Sequence, residues 1–151
     1  MKRPVVAIDG PAGSGKSTVA KMLARRLGFT HIDTGALYRA VALLALKAGA
    51  PSDDEAAVVR ASRGAKLEFR KLDDGNLLHI DGICVQNEIR KENVGAMASR
   101  VSALPGVRAL LLELQRELGR GGGVVLEGRD IGTVVFPDAE VKVFQIGRAH
   151  V

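Results

Sequence analysis

The sequence predicts an α/β protein built on a parallel sheet covered by helices on both sides. Three observations carry that expectation. Short apolar runs such as "PVVAI" (Pro4 to Ile8), "VVLEG" (Val124 to Gly128) and "VKVF" (Val141 to Phe144) read as buried strands. Segments with apolar residues at helical spacing separate them, the alternation expected of a doubly covered parallel sheet. A glycine-rich turn, "DGPAGSGKST", joins the first strand to the first helix.

Composition sets the outer limits. The chain has 151 residues, enough for one domain with its own core, and 46% of them are apolar, which argues against disorder. No apolar run is long enough to span a bilayer, and "MKRPVVAIDG" passes straight into a strand without a signal-like segment. Cys84 is the single cysteine, so an internal disulfide is impossible and a cytoplasmic location is expected. A formal charge of +5 admits nucleic acid or small phosphorylated ligands as partners. With no tryptophan and one tyrosine there is no stacking platform for single strands, and there is no lysine-rich tail. The arginines follow glycine-rich turns, which points to phosphate pockets.

In chain order, "VAKMLARRLG" is the first helix, with Gly28 as its stop. "FTHI" is a second, weaker strand, and "DTGALYRAVALLALKAG" a second helix capped by Asp33 or Thr34 and ending at Gly49. "SDDEAAVVRASR" carries a capping Ser or Asp and first-turn acids that suit the helix dipole. "AKLEFRKLDDGNLLHIDGICV" alternates, with turn signals at Asp74-Gly75 and Asp81-Gly82, and reads as a hairpin in a small inserted subdomain. "NEIRKENVGAMASRVSAL" and "GVRALLLELQRELG" return to helix, broken at Pro105-Gly106. There is no internal repeat or low-complexity stretch. His31 and His79 stand singly and suggest no metal site, and Cys84 is expected to be a small core residue of the insert.

The turn after the first strand fits G-x-x-x-x-G-K-[ST] from Gly10 to Ser17: Gly10, Pro11, Ala12, Gly13, Ser14, Gly15, Lys16, Ser17, with Thr18 following. Glycines let such a loop wrap so that backbone N–H groups converge on an anion, and the following helix adds its positive end. Lys16 then reaches the β- and γ-phosphates, the Ser17 hydroxyl holds Mg²⁺, and Thr18 lies near the α-phosphate. The motif is specific for a nucleoside triphosphate and silent on what receives the phosphate.

A short chain without the guanine-reading Asn-Lys-x-Asp run favours a kinase for a small acceptor. An acceptor that already carries phosphate needs arginines to clamp it. Arg39 in "DTGALYR" and Arg129 in "EGRD" stand where strands give way to loops or helices, and Asp33 and Glu127 mark the carboxyl ends where open α/β sheets bind ligands. Several candidates have plainer readings: Asp33 and Thr34 as helix caps, Tyr38 as packing, Arg108 as a solvated helix residue, Arg129 and Asp130 as a surface ion pair. Glu127 either positions a magnesium-bound water or orients Arg129.

"IDGPAGSGKST", "DTGALYRA", "VSALPGVR" and "EGRDIGTVVFPDAEVKVF" together resemble the successive motifs of the bacterial cytidylate kinases, over residues 1 to about 144. The DTG-A-L-Y-R and GRDIGTVVFPDA runs are the specific part. The resemblance implies a P-loop kinase three-layer fold that moves the γ-phosphoryl group of ATP, with Mg²⁺, to CMP or dCMP. It places Thr34, Tyr38 and Arg39 in the monophosphate region, Arg129 with Arg39 on the acceptor phosphate, and Ser99, Arg108 and Asp130 facing the cytosine. Lys16, Arg39 and Arg129 would be catalytic. The chemistry of the base agrees: a carboxylate such as Asp130 suits the cytosine amine, and a guanidinium such as Arg108 suits its acceptors. Residues about 64–95 match a monophosphate-binding insert within one kinase domain whose core is 1–63 and 96–145. The implied partners are ATP and CMP or dCMP, with no nucleic acid and no membrane, and the usual state is a monomer.

The family carries a further helix, an arginine-rich lid and a last strand and helix, so these are expected to be missing here. Ile146 to Val151 can be encoded ATC-GGA-AGA-GCA-CAC-GTC, which resembles a sequencing adapter, so these six residues are expected to be no part of the natural protein. Rival readings are a kinase for another acceptor such as UMP or shikimate, a chain that binds nucleotide without transferring phosphate, and a basic nucleic-acid partner.

Overall fold

The computed structural model describes residues 3–72 and 75–147. The chain divides into two compact units, one of Met1–Thr34, Lys71–Asn76 and Gln115–Val151, the other of Gly35–Arg70 and Leu77–Leu114.

The first unit is built on a parallel sheet. Its strands are β1 (Val5–Asp9), β2 (Thr30–Asp33), β6 (Val124–Gly128) and β7 (Val141–Phe144), in the order β2-β6-β1-β7. Asp9 pairs with Gly128 and Phe144, and Asp33 with Glu127, so the carboxyl ends of all four strands align. Every residue of β1 is buried, as is β6 up to Glu127, in keeping with apolar runs that lack polar alternation. On one face Val6, Ile8 and Val125 pack against Ala20, Ala24 and Phe29. Ala20 and Ala24 lie one helical turn apart on α1 (Lys16–Leu27), and their small side chains let that helix lie close on the sheet. On the other face Val5, Ala7 and Leu126 are buried too.

Two bonds close the end of α1. Gly28, left-handed at φ 69°, donates to the Arg25 carbonyl, and Phe29 N donates to Ala24 O at 2.9 Å. Gly49 ends α2 (Thr34–Lys47) in the same manner, with Ala50 N on Ala45 O at 2.9 Å.

The second unit carries most of α2, α3 (Glu55–Arg63), most of β3 (Leu67–Leu72) and β4 (Gly75–Ile80), which form a three-stranded sheet with β5 (Ile83–Cys84), then α4 (Glu92–Val101) and the start of α5 (Pro105–Gly119). Asp54 is the cap expected for α3, its carboxylate accepting from Ala57 N at 3.1 Å. The Asp81-Gly82 turn forms as read, with φ 50° and 84° and Ile80 paired to Ile83, which suits the twist of a two-residue hairpin. Of the other expected turn, Asp74 lies outside the described residues and Gly75 opens β4.

Three expectations change. Pro105 does not break a helix but starts one: the gap is at 102–104, and proline at the first helical position gives up an amide that had no partner there. Cys84 is exposed, because β5 is the short edge of its sheet. β7 is a strand, but all its residues are exposed, since it is the sheet edge and no described element covers Val141, Val143 or Phe144. No helix of the described residues is long and apolar enough to cross a membrane.

Beyond β6 the chain makes a single wide turn, Ile131–Val135, held from two sides within the first unit. The Asp9 carboxylate accepts from Ile131 N at 2.7 Å and Gly132 N at 2.8 Å. From α5, Arg116 donates to the carbonyls of Val134 and Val135, and Gly119 leaves room for Phe136, whose ring would lie 2.5 Å from any Cβ there. Asp9, Ile131 and Gly132 are buried, so Asp9→Ala strands two amides away from water. Urea unfolding of that variant is expected to show a loss of about 2–5 kcal/mol; a loss under about 1 kcal/mol would mean that water replaces the carboxylate.

Candidate functional site

At the aligned carboxyl end of the sheet, β1 runs into the Gly10–Thr18 loop. Gly13 and Gly15 have φ of 76° and 85°, a backbone state that other residues resist. Gly10 is required for a second reason: a Cβ there would overlap the Gln145 carbonyl oxygen, where the chain passes after β7 and Gln145 N donates to Asp9 O at 2.7 Å. α1 therefore begins from a left-handed glycine that offers no side-chain cap, and its first turn holds no acidic residue. The opening amides of a helix have no intrahelical partner, so this end presents free donors and a positive partial charge to an incoming anion. Lys16 Nζ lies across the loop on the Pro11 carbonyl at 3.3 Å. Ser14 is buried, and its hydroxyl has no hydrogen-bond partner among the described residues.

Glu127, 3% exposed at the end of β6, is the hub beside the loop. The Ser17 hydroxyl donates to its Oε1, His31 Nε2 lies 2.6 Å from its Oε2, and Thr34 Oγ1 donates to its carbonyl at 2.7 Å. Burial works against the charge on Glu127, but the hydrogen bonds from His31 and Ser17, with the nearby positive charge of Lys16, outweigh it and hold the carboxyl below its ordinary value of 4.5. The parallel register explains the meeting. β2 and β6 are neighbours with Asp33 opposite Glu127, which puts His31 and Thr34 beside the Glu127 strand end, while α1 packs against the same two strands.

The expected site residues fall into both units. In the first are the loop Gly10–Thr18, Thr34, Arg129 and Asp130. Thr34 is buried, with its one proton committed to Glu127 O. Arg129 is exposed, and neither it nor the half-exposed Asp130 side chain is bonded to a described residue; the surface ion pair does not form. Among the described residues the two side-chain oxygens of Glu127 meet Ser17 and His31. The second unit carries Tyr38, Arg39, Ser99 and Arg108. Arg39 is exposed and donates to the Ile89 carbonyl at 3.2 Å, which fixes its direction. Ser99 donates to Gly95 O one turn back at 3.2 Å, leaving its lone pairs free. Arg108 is exposed on α5, and Tyr38 is half-buried.

Two participants are missed by sequence reasoning. His31 is not solitary but joined to Glu127. Asp9, adjacent to the loop, holds the turn that follows Asp130. Neither has a local signal: their partners lie 96 and 122 residues away, and only the strand order brings them together.

Ser17 offers a hard oxygen, and donating its proton to Glu127 turns the hydroxyl lone pairs away from that carboxylate. No cluster of three or more His, Cys, Asp or Glu among the described residues could hold a metal ion alone. That donor set fits Mg²⁺ bound through one protein oxygen, phosphates and water.

Because Glu127 has a lowered pKa, its contribution to stability is complete above the ordinary value of 4.5 and is lost as pH falls through the lower folded value. Acid denaturation profiles should therefore fall more steeply below about pH 4.5 for the wild type than for Glu127→Gln, which has no carboxyl to titrate there. Parallel profiles would show that the carboxylate is not charged in this network.

Comparison with known proteins gives a consistent family. A family model for cytidylate kinase matches residues 6–150. The chain is 55% identical over 140 residues to a cytidylate kinase of Geobacter sp. (strain M21), covering 93% of this chain and 60% of that protein. It is 54% identical over 142 residues to the cytidylate kinase of Citrifermentans bemidjiense, with 93% and 60% covered, and 51% identical to that of Pelotomaculum thermopropionicum, with 93% and 63% covered. The chain thus spans about 60% of the length of the curated relatives it matches.

Proposed function

The chain belongs to the cytidylate kinase family, and from that premise we propose that it serves transfer of the γ-phosphoryl group of ATP to CMP or dCMP, giving ADP and the diphosphate. The observation that carries the proposal is the uncapped helix end at Gly15, approached through left-handed glycines, with Ser17 held beside it by Glu127. Such an end binds a phosphate chain through backbone donors that need no rearrangement.

Each residue then has a task that its surroundings support. Amides at the opening of α1, from Gly15 to Thr18, cradle the β-phosphate, while Ser14 N stays on the Pro11 carbonyl at 3.3 Å and Lys16 exchanges that carbonyl for phosphate oxygens. Ser17 would hold Mg²⁺, which when bound draws charge from the transferring group. Arg39 and Arg129 clamp the acceptor phosphate; Arg39 is braced by Ile89 O, whereas Arg129 has no competing partner among the described residues. No general base is needed, since the attacking phosphate oxygen is already anionic, so the chain's work is alignment and charge neutralisation. Ser99, Arg108 and Asp130 read the cytosine, with Tyr38 and Thr34 shaping the monophosphate region. Residues about 64–95 are assigned to acceptor binding as a subdomain, on the resemblance alone.

Phosphoryl transfer followed as ADP release should favour CMP and dCMP over UMP by about 10²–10⁴ in kcat/KM. Lys16→Met should lower kcat by at least about 10²-fold. Asp130→Asn should narrow the CMP preference, because an amide can donate to the uracil carbonyl where a carboxylate repels it. Equal use of UMP and CMP by the wild type would remove the cytosine assignment while leaving the kinase reading.

A further inference from the structure

Glu127 is held at both carboxylate oxygens, and the two donors come from different elements: Ser17 from the first turn of α1 and His31 from β2. Ser17 is exposed, whereas the His31 side chain is only 13% exposed and that of Glu127 4%, so the donor farther from the loop is the one shielded from water. A glutamate side chain has three rotatable bonds, and one hydrogen bond leaves its terminal torsion free to turn. A second bond on the other oxygen stops that turn. A serine hydroxyl also rotates to suit whichever acceptor it finds. With the Glu127 carboxylate fixed, the Ser17 proton has one strongly favoured direction, and the lone pairs of Oγ face away from it.

We propose that His31 is a positioning residue for the divalent cation: by occupying one oxygen of Glu127 it fixes the other on Ser17, and so presets the Ser17 hydroxyl as a cation ligand. This rests on the reading that the loop takes ATP with Mg²⁺. His31 touches neither phosphate nor metal; it acts through Glu127. Outer partners of this kind orient a ligand and raise its basicity, and their loss commonly weakens metal binding by about 10–100-fold.

The test separates ATP binding from its dependence on Mg²⁺. Affinity for ATP is measured by calorimetry on the full chain in excess chelator and across a Mg²⁺ titration, for the wild type, His31→Phe and His31→Gln. His31→Phe keeps a ring of similar size and removes the donor; it should raise the Mg²⁺ concentration for half-maximal enhancement of binding about tenfold or more. Its Mg²⁺-free affinity should stay within about twofold of the wild type, because the loop amides and Lys16 are untouched. His31→Gln retains an N–H donor and should recover part of the Mg²⁺ response. An unchanged Mg²⁺ requirement in His31→Phe, or a parallel fall in Mg²⁺-free affinity, would overturn the positioning role while leaving the nucleotide reading intact. A wild type that binds ATP neither with nor without Mg²⁺ would overturn both.

Discussion

A carboxylate buried at the end of a strand needs donors wherever it has lone pairs, and Glu127 finds them on α1 and β2. Its side chain ties the first turn after the glycine loop to the neighbouring strand, and its carbonyl takes the hydroxyl that opens α2. The elements arranged around this residue are those that the loop needs in fixed position. The arrangement is costly to remove, because a buried acceptor without donors keeps its full desolvation penalty. Here stability and site geometry depend on the same atoms.

Asp9 does for the loops what Glu127 does for the strands and helices. It closes β1, accepts the amide of Gln145 on its backbone oxygen, and holds Ile131 and Gly132 with its side chain. The segment containing Arg129 and Asp130 is thereby anchored to the residue immediately before Gly10. A parallel sheet makes this economical, since aligned carboxyl ends bring distant stretches of chain to one rim.

Much of this was legible beforehand. The apolar runs of β1 and β6 and the glycine loop are local signals, read correctly because a buried strand and a left-handed turn leave their mark in consecutive residues. Asp54 and the Asp81-Gly82 turn are local in the same sense. What failed to show depended on neighbours far along the chain. "VKVF" is apolar enough for a core, yet its exposure is decided by its place at the sheet edge, which no property of those residues encodes. Cys84 was misplaced for the same reason. His31 looked solitary because its partner becomes adjacent only once β2 is laid beside β6.

The close approach of Phe136 to Gly119 bears on how such a sequence can drift. Any side chain at 119 would meet the ring, so a larger residue there forces Phe136 to shift unless 136 has already become smaller. Across descendants of this chain the two positions should change in a fixed order, the aromatic ring yielding first. A lineage that reversed the order would pass through an overpacked intermediate. Phe136 follows directly on the turn held by Asp9 and Arg116, so a displaced ring would bear on the same turn that follows Asp130.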